Sequence, residues 1–169
     1  MKIDFIQSQI RSSDRWIDYV LSDLKPEEWE LVTAVNSSIN WQIGHLILSK
    51  YFHGVMSIFP AEHEIHVPFR AHFPLQELQK HYFIKSNPGA DWPDRFSTER
   101  LKEDRAMMTQ MVSDAVQKLP EAELDQHTST PNPAAKNKFG ALTFVFKHQM
   151  WHAGQMAMIK RILRNGPYN

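Results

Sequence analysis

The chain has 169 residues, with 19 lysine plus arginine against 19 aspartate plus glutamate, nine histidines and no cysteine. One domain is the natural expectation at that length, and 42% hydrophobic with 22% charged residues is the composition of a water-soluble globular protein. Balanced charge argues against a general phosphate-backbone binder, so no nucleic-acid partner is expected. The lack of cysteine removes disulfides, thiolate metal sites, iron–sulfur clusters and a cysteine nucleophile, and fits a reducing, cytoplasmic setting. The N-terminal stretch MKIDFIQSQIRSSDR has no unbroken apolar core of a signal peptide. No apolar run approaches the ~18 residues that span a bilayer, so no membrane partner is expected.

In chain order, Ile6, Ile10, Ser13, Ile17, Val20 or Leu21, and Leu24 recur every three or four residues and predict a first helix with one buried stripe. Asp4 with Gln7 reads as its capping box and Lys25-Pro26 as its stop. A second helix is expected from Ile39 to about Phe59, capped by Ser37 or Ser38 and ended by Pro60. Its apolar residues, from Trp41 and Ile43 to Val55 and Met56, wrap more than one face, so it is central or partnered on a second side. A third follows Ser97 and runs to Leu119, with Leu101, Met108, Val112, Ala115 and Leu119 at near-heptad spacing. A fourth runs from about Lys138 to Arg164 and stops at Asn165-Gly166-Pro167. No hairpin signal, internal repeat or low-complexity tract interrupts this pattern. The expected fold is all-α, a four-helix bundle with long second and third connections.

Those connections are residues 60–97, with five prolines, and residues 120–137, with Pro120, Pro131 and Pro133. Leu75–Ile84 can form a short helix within the former. Long loops in compact domains often rim functional sites.

His148 and His152 stand at i and i+4 on the fourth helix, one turn apart on one face. With nine histidines, chance alone supplies about 0.4 such pairs, so the spacing by itself decides little. The zincin pattern fails, because the sequence is His148-Gln149-Met150-Trp151-His152 without glutamate after the first histidine. His45 adds weight. It lies in a very apolar helix, where a lone buried imidazole costs a few kcal/mol unless it has a partner. Three neutral imidazoles with an open position can hold catalytic zinc, and imidazole also suits nickel, iron and copper.

The patterns SxxWxxGH (Ser38, Trp41, Gly44, His45) and HxxxHxGQ (His148, His152, Gly154, Gln155) resemble the DinB-like family over essentially the whole chain. The resemblance implies a single four-helix-bundle domain over residues 1–169. It implies a divalent metal, zinc or nickel, held by His45, His148 and His152, with Trp41, Ser49, Phe52 and Gln155 as candidates for the pocket. Characterised relatives include bacillithiol S-transferases and mycothiol-dependent maleylpyruvate isomerases, in which a low-molecular-weight thiol is activated at the metal. The implied function is therefore a metal-dependent thiol transferase acting on a small-molecule substrate. A metal-dependent hydrolase and a non-catalytic metal or small-ligand binding protein are the alternatives. Many relatives are homodimers, and the two nearly all-round apolar helices offer a face for that.

The other histidines have plainer readings. His63, His66 and His72 read as solvated residues of the insert, with a second metal site the alternative. His53, eight residues after His45, reads as a helix-end surface residue that could instead line the pocket. Gln155 either bonds a ligand or packs as a helix amide. Met107, Met108, Met111, Met150, Met156 and Met158 read as core filler.

Overall fold

The computed structural model describes residues 2–86 and 95–165. Six α-helices occur there: α1 (Lys2–Leu21), α2 (Ile39–Tyr51), α3 (His66–His72), α4 (Leu75–Tyr82), α5 (Thr98–Gln117) and α6 (Lys138–Asn165). Among the described residues no strand forms, and the single β-bridge joins His127 to Asn137. The protein is all-helical, with four long helices and two short ones. None is long and apolar enough to cross a membrane.

The long helices pack in sequence-dictated faces. α1 lies against α6 and α5, and α2 against α5 and α6. Their stripes supply the core: Ile6, Ile10 and Ile17 from α1, Ile39, Ile43 and Ile47 from α2, Met108 and Val112 from α5, and Leu142, Met156 and Ile159 from α6 are fully buried. Each such side chain contributes roughly 1.5–3 kcal/mol of transfer free energy. The second side of α2 is covered by α4, which explains why its apolar residues go round the helix.

Several boundaries differ from the sequence expectation, each for a local reason. α1 begins at Lys2, so Asp4 and Gln7 are inside it, and Gln7 Nε2 donates instead to the Ser113 carbonyl at 2.9 Å. Ser38, not Ser37, caps α2 by accepting from the Trp41 N–H. α2 ends at Tyr51 and continues as a wide π turn, Phe52–Met56, rather than as α-helix to Phe59. α4 covers Leu75–Tyr82, close to the expected span, but α3 was hidden by Pro68. That proline occupies the first turn of α3, where its missing N–H has no intrahelical partner to lose. Met108 and Met156 are core residues, whereas Met107, Met150 and Met158 are exposed rather than core filler. In the stop signal after α6, Gly166 and Pro167 lie outside the described residues, as do Pro88 and Pro93.

Candidate metal centre

His45 from α2 meets His148 and His152 from α6 across the α2–α6 contact. The three are buried, and one ring nitrogen of each lies within 4.8 Å of the other two. His148 and His152 Nε2 are 2.9 Å apart. Nitrogens around tetrahedral zinc, at ~2.0–2.1 Å from the ion, stand about 3.3 Å from one another, a value these spacings bracket. Among the described residues this is the one cluster of three or more histidine or carboxylate side chains with such convergence.

The opposite ring nitrogens decide what the converging ones can do. His45 Nδ1 is 2.9 Å from the Tyr82 carbonyl oxygen, and His152 Nδ1 contacts Gln42 Oε1. Both partners can only accept, so both Nδ1 atoms carry the proton and both Nε2 atoms present a lone pair. His148 Nδ1 lies 2.9 Å from Ser49 Oγ, a hydroxyl that can donate or accept. With no ion, His148 Nε2–H can donate to His152 Nε2 while Ser49 donates to Nδ1. With an ion, the hydroxyl accepts from Nδ1–H and all three lone pairs face inward. Outward partners of this kind fix the rings of metal-binding histidines generally.

Electrostatics agree with neutral ligands. Burial pushes the His148 and His152 pKa values down to about 3, helped by the neighbouring imidazoles, and burial also lowers that of His45. A donor set of neutral nitrogens without carboxylate fits a borderline-soft divalent ion such as zinc or nickel.

Each residue of the first motif has a task here. Ser38 caps the helix, Trp41 stacks on His45 with ring centroids 4.9 Å apart, and Gly44 admits the neighbour that holds His45. A Cβ on Gly44 would sit 2.3 Å from the Tyr82 ring, so only glycine lets Tyr82 lie close enough for its carbonyl to reach His45.

His45 and His148 open onto a cavity of about 1160 Å³ that Ser49 and Phe52 also line. Trp41 and Gln155 lie outside that lining; Trp41 instead donates from Nε1 to Ser86 Oγ, and Gln155 Oε1 is buried without a partner. Two histidines read as surface residues belong to this cavity. His53 is buried and lines it, because the wide π turn rotates less per residue than an α-helix and brings position 53 back towards the His45 face. His66 is also buried: Tyr51 donates to its Nδ1 at 3.0 Å and its Nε2–H donates to the Pro60 carbonyl at 3.0 Å. His63 and His72 are exposed, as expected of the insert. The third connection reaches the rim, with Thr130, Pro133 and Ala134 in the lining.

These features define an all-helical protein with a buried three-histidine cluster able to bind a metal ion at the wall of a large cavity. The sequence profile of the DinB superfamily matches residues 9–156, and the chain belongs to that superfamily. The matched span contains both motifs and all three histidines. A comparison with curated proteins gives no match.

Proposed function

We propose that the chain is a divalent-metal-dependent enzyme, with His45, His148 and His152 as the ligands and the adjoining cavity as the substrate site. The reaction we assign is transfer of a low-molecular-weight thiol to a small electrophile. A zinc or nickel ion in this site supplies Lewis acidity that favours the thiolate form of a bound thiol near neutral pH. The observation that carries the reading is the outward hydrogen bonding of His45 and His152, which leaves two buried lone pairs aimed at a common point beside a cavity.

The chain's own residues do the rest. Tyr82, Gln42 and Ser49 hold the three rings in place, and the aromatic wall of Phe52, Phe144 and Trp151 excludes water from the electrophile. In the transfer a sulfur–carbon bond forms as the bond to the leaving group breaks, and the thiol proton passes to solvent. The reading also takes residues 1–169 as one four-helix-bundle domain acting in the cytoplasm as a homodimer.

The test is metal analysis of the purified protein, followed by thiol consumption with an activated aryl halide across a panel of low-molecular-weight thiols. Stoichiometric metal with metal-dependent consumption is expected. Bound metal with no turnover of any thiol leaves a binding protein, and no metal at all removes the proposal.

A further inference from the structure

His53 and His66 are the buried histidines of the cavity that the proposed chemistry does not use; both ring nitrogens of His66 are hydrogen-bonded, whereas the surroundings of His53 differ in kind from those of His66 and of the three proposed ligands. His53 Nδ1 lies 2.8 Å from Asn132 Nδ2. The orientation of that amide is fixed from both sides. Asn132 Oδ1 accepts from the Ala134 N–H at 2.8 Å, and Nδ2 is also 2.8 Å from Ser57 Oγ, whose hydroxyl proton is already given to the Phe52 carbonyl at 2.9 Å. Turning the amide over would set N–H against N–H at Ala134 and oxygen against a spent hydroxyl at Ser57. Asn132 therefore donates, His53 Nδ1 accepts, and the neutral ring carries its proton on Nε2.

That is the opposite tautomer from His45 and His152. Among the described residues Nε2 of His53 has no hydrogen-bond partner, and the residue lines the cavity with its ring edge-on to His148 at 6.3 Å between centroids. A nitrogen that bears hydrogen cannot ligate, so Asn132 both excludes His53 from the metal set and makes it a donor into a largely aromatic space.

We propose that His53 Nε2–H is the hydrogen-bond donor for an acceptor oxygen on the small molecule held in this cavity, which defines the ligand as an apolar, ring-bearing compound with a carbonyl or comparable oxygen next to the metal position. The assignment of a neighbouring metal rests on the function proposed above; the tautomer of His53 does not. The long third connection gains a task from this, since it delivers Asn132.

Two measurements test it. In metal-free protein labelled with nitrogen-15 at histidine, two-bond proton–nitrogen correlations at neutral pH should show Nδ1–H for His45 and His152 and Nε2–H for His53. Adding zinc should move Nε2 of His45, His148 and His152 and leave His53 unmoved. An Nδ1–H tautomer at His53, or a coordination shift of its Nε2, overturns the proposal. The second measurement uses benzohydroxamate, which offers a ring, chelating oxygens and a carbonyl acceptor, on the zinc-loaded protein. His53→Phe should weaken its binding about 3- to 10-fold, while His53→Gln, which keeps an N–H near the same place, should retain most of it. Asn132→Asp draws the ring proton to Nδ1 and should resemble His53→Phe. Equal binding by all variants overturns the donor role. Failure of zinc to bind sinks the metal reading alone. Benzamide added to the metal-free protein then decides, and an unperturbed His53 Nε2–H ends the proposal.

Discussion

Two buried polar clusters sit side by side between the long helices, and they share neighbours in sequence: Ser49 and His148 belong to the histidine cluster, and the next residues, Lys50 and Gln149, belong to an ionic one. In the latter, Asp14 Oδ1 accepts from Lys50 Nζ at 3.1 Å, Arg105 at 3.0 Å and Gln149 Nε2 at 2.8 Å. Lys50 also reaches Thr109, and Arg105 also pairs with Asp18. Apart from Arg105 Nε, which has no partner, the charges and donors of that group are answered within the protein. The histidine cluster is built the other way: its outer nitrogens are answered and its inner ones are aimed at each other. The first arrangement ties α1, α2, α5 and α6 together and needs nothing more. The second converges on a centre that could hold a metal ion.

The contrast predicts opposite consequences of truncation. Asp14→Ala strands the buried Lys50 ammonium and leaves the half-buried Arg105 with Asp18 alone, and burial already pushes the Lys50 pKa down against the pull of Asp14. A loss of about 3–5 kcal/mol in denaturant unfolding is expected, with or without metal. His152→Ala should leave the metal-free protein nearly as stable and abolish its response to zinc. For the unaltered chain, free zinc at 100 times its dissociation constant adds about 2.7 kcal/mol, so chelation should lower Tm by roughly 5–10 °C. Complete unfolding in chelator at 25 °C would contradict the division of labour, because it would make the ion a condition of folding.

Gly44 joins the two roles, so its replacement should fall between those effects. The added methyl of Gly44→Ala meets the Tyr82 ring, and relief moves Tyr82 away from α2 together with the carbonyl that orients His45. Overpacking of this kind costs about 1–3 kcal/mol, and loss of an orienting partner weakens metal binding about 10- to 100-fold. Calorimetric zinc titration of a folded Gly44→Ala protein checks the second number separately from the first.

The clusters also differ in their answer to acid. An unfolded histidine titrates near 6.5, whereas in the fold His148 and His152 titrate near 3 and His53 near 4. Between those values the unfolded chain binds more protons than the folded one, so stability rises with pH across the window and is lost as pH falls below about 6.5. Each histidine contributes at most about 1.4 kcal/mol per pH unit. Unfolding at pH 7 and pH 5 in chelator should show that slope, and His148→Phe should reduce it. An unchanged slope would place the acid sensitivity elsewhere.

What the sequence disclosed follows from which signals are periodic. The four long helices and the convergence of His45, His148 and His152 were legible, because apolar stripes at 3.6-residue spacing and an i, i+4 histidine pair depend only on regular α-helix. His53 and His66 were not, since both positions depend on departures from it. His53 turns inward through a π turn with no sequence signature at Phe52–Met56, and His66 is buried by tertiary contact with Tyr51 and Pro60. A signal for His53 did exist in its eight-residue offset from His45, but a regular helix places that offset to one side of the ligand face. The first motif became interpretable only with Tyr82 in place, since no reading of SxxWxxGH names the residue that Gly44 must admit.

The glycine of the second motif makes the smallest and most discriminating test. Gly154 lies in α6 between His152 and Gln155, and a Cβ there meets nothing within 4 Å. Steric need therefore explains Gly44 and not Gly154. A helix-interior glycine that can accept a methyl without contact is a site where alanine stabilises by about 0.5–1 kcal/mol, through the smaller entropy of the unfolded chain. Gly154→Ala should raise Tm by a few degrees, on the order of 2–4 °C, and leave zinc affinity unchanged. If Tm instead falls, some surface absent from the described chain packs on Gly154, and a second copy is the one the proposed homodimer supplies. Sedimentation of Gly154→Ala beside the unaltered protein then separates the cases: a shift to monomer puts Gly154 in the subunit contact, and an unchanged mass with lower Tm rules that contact out.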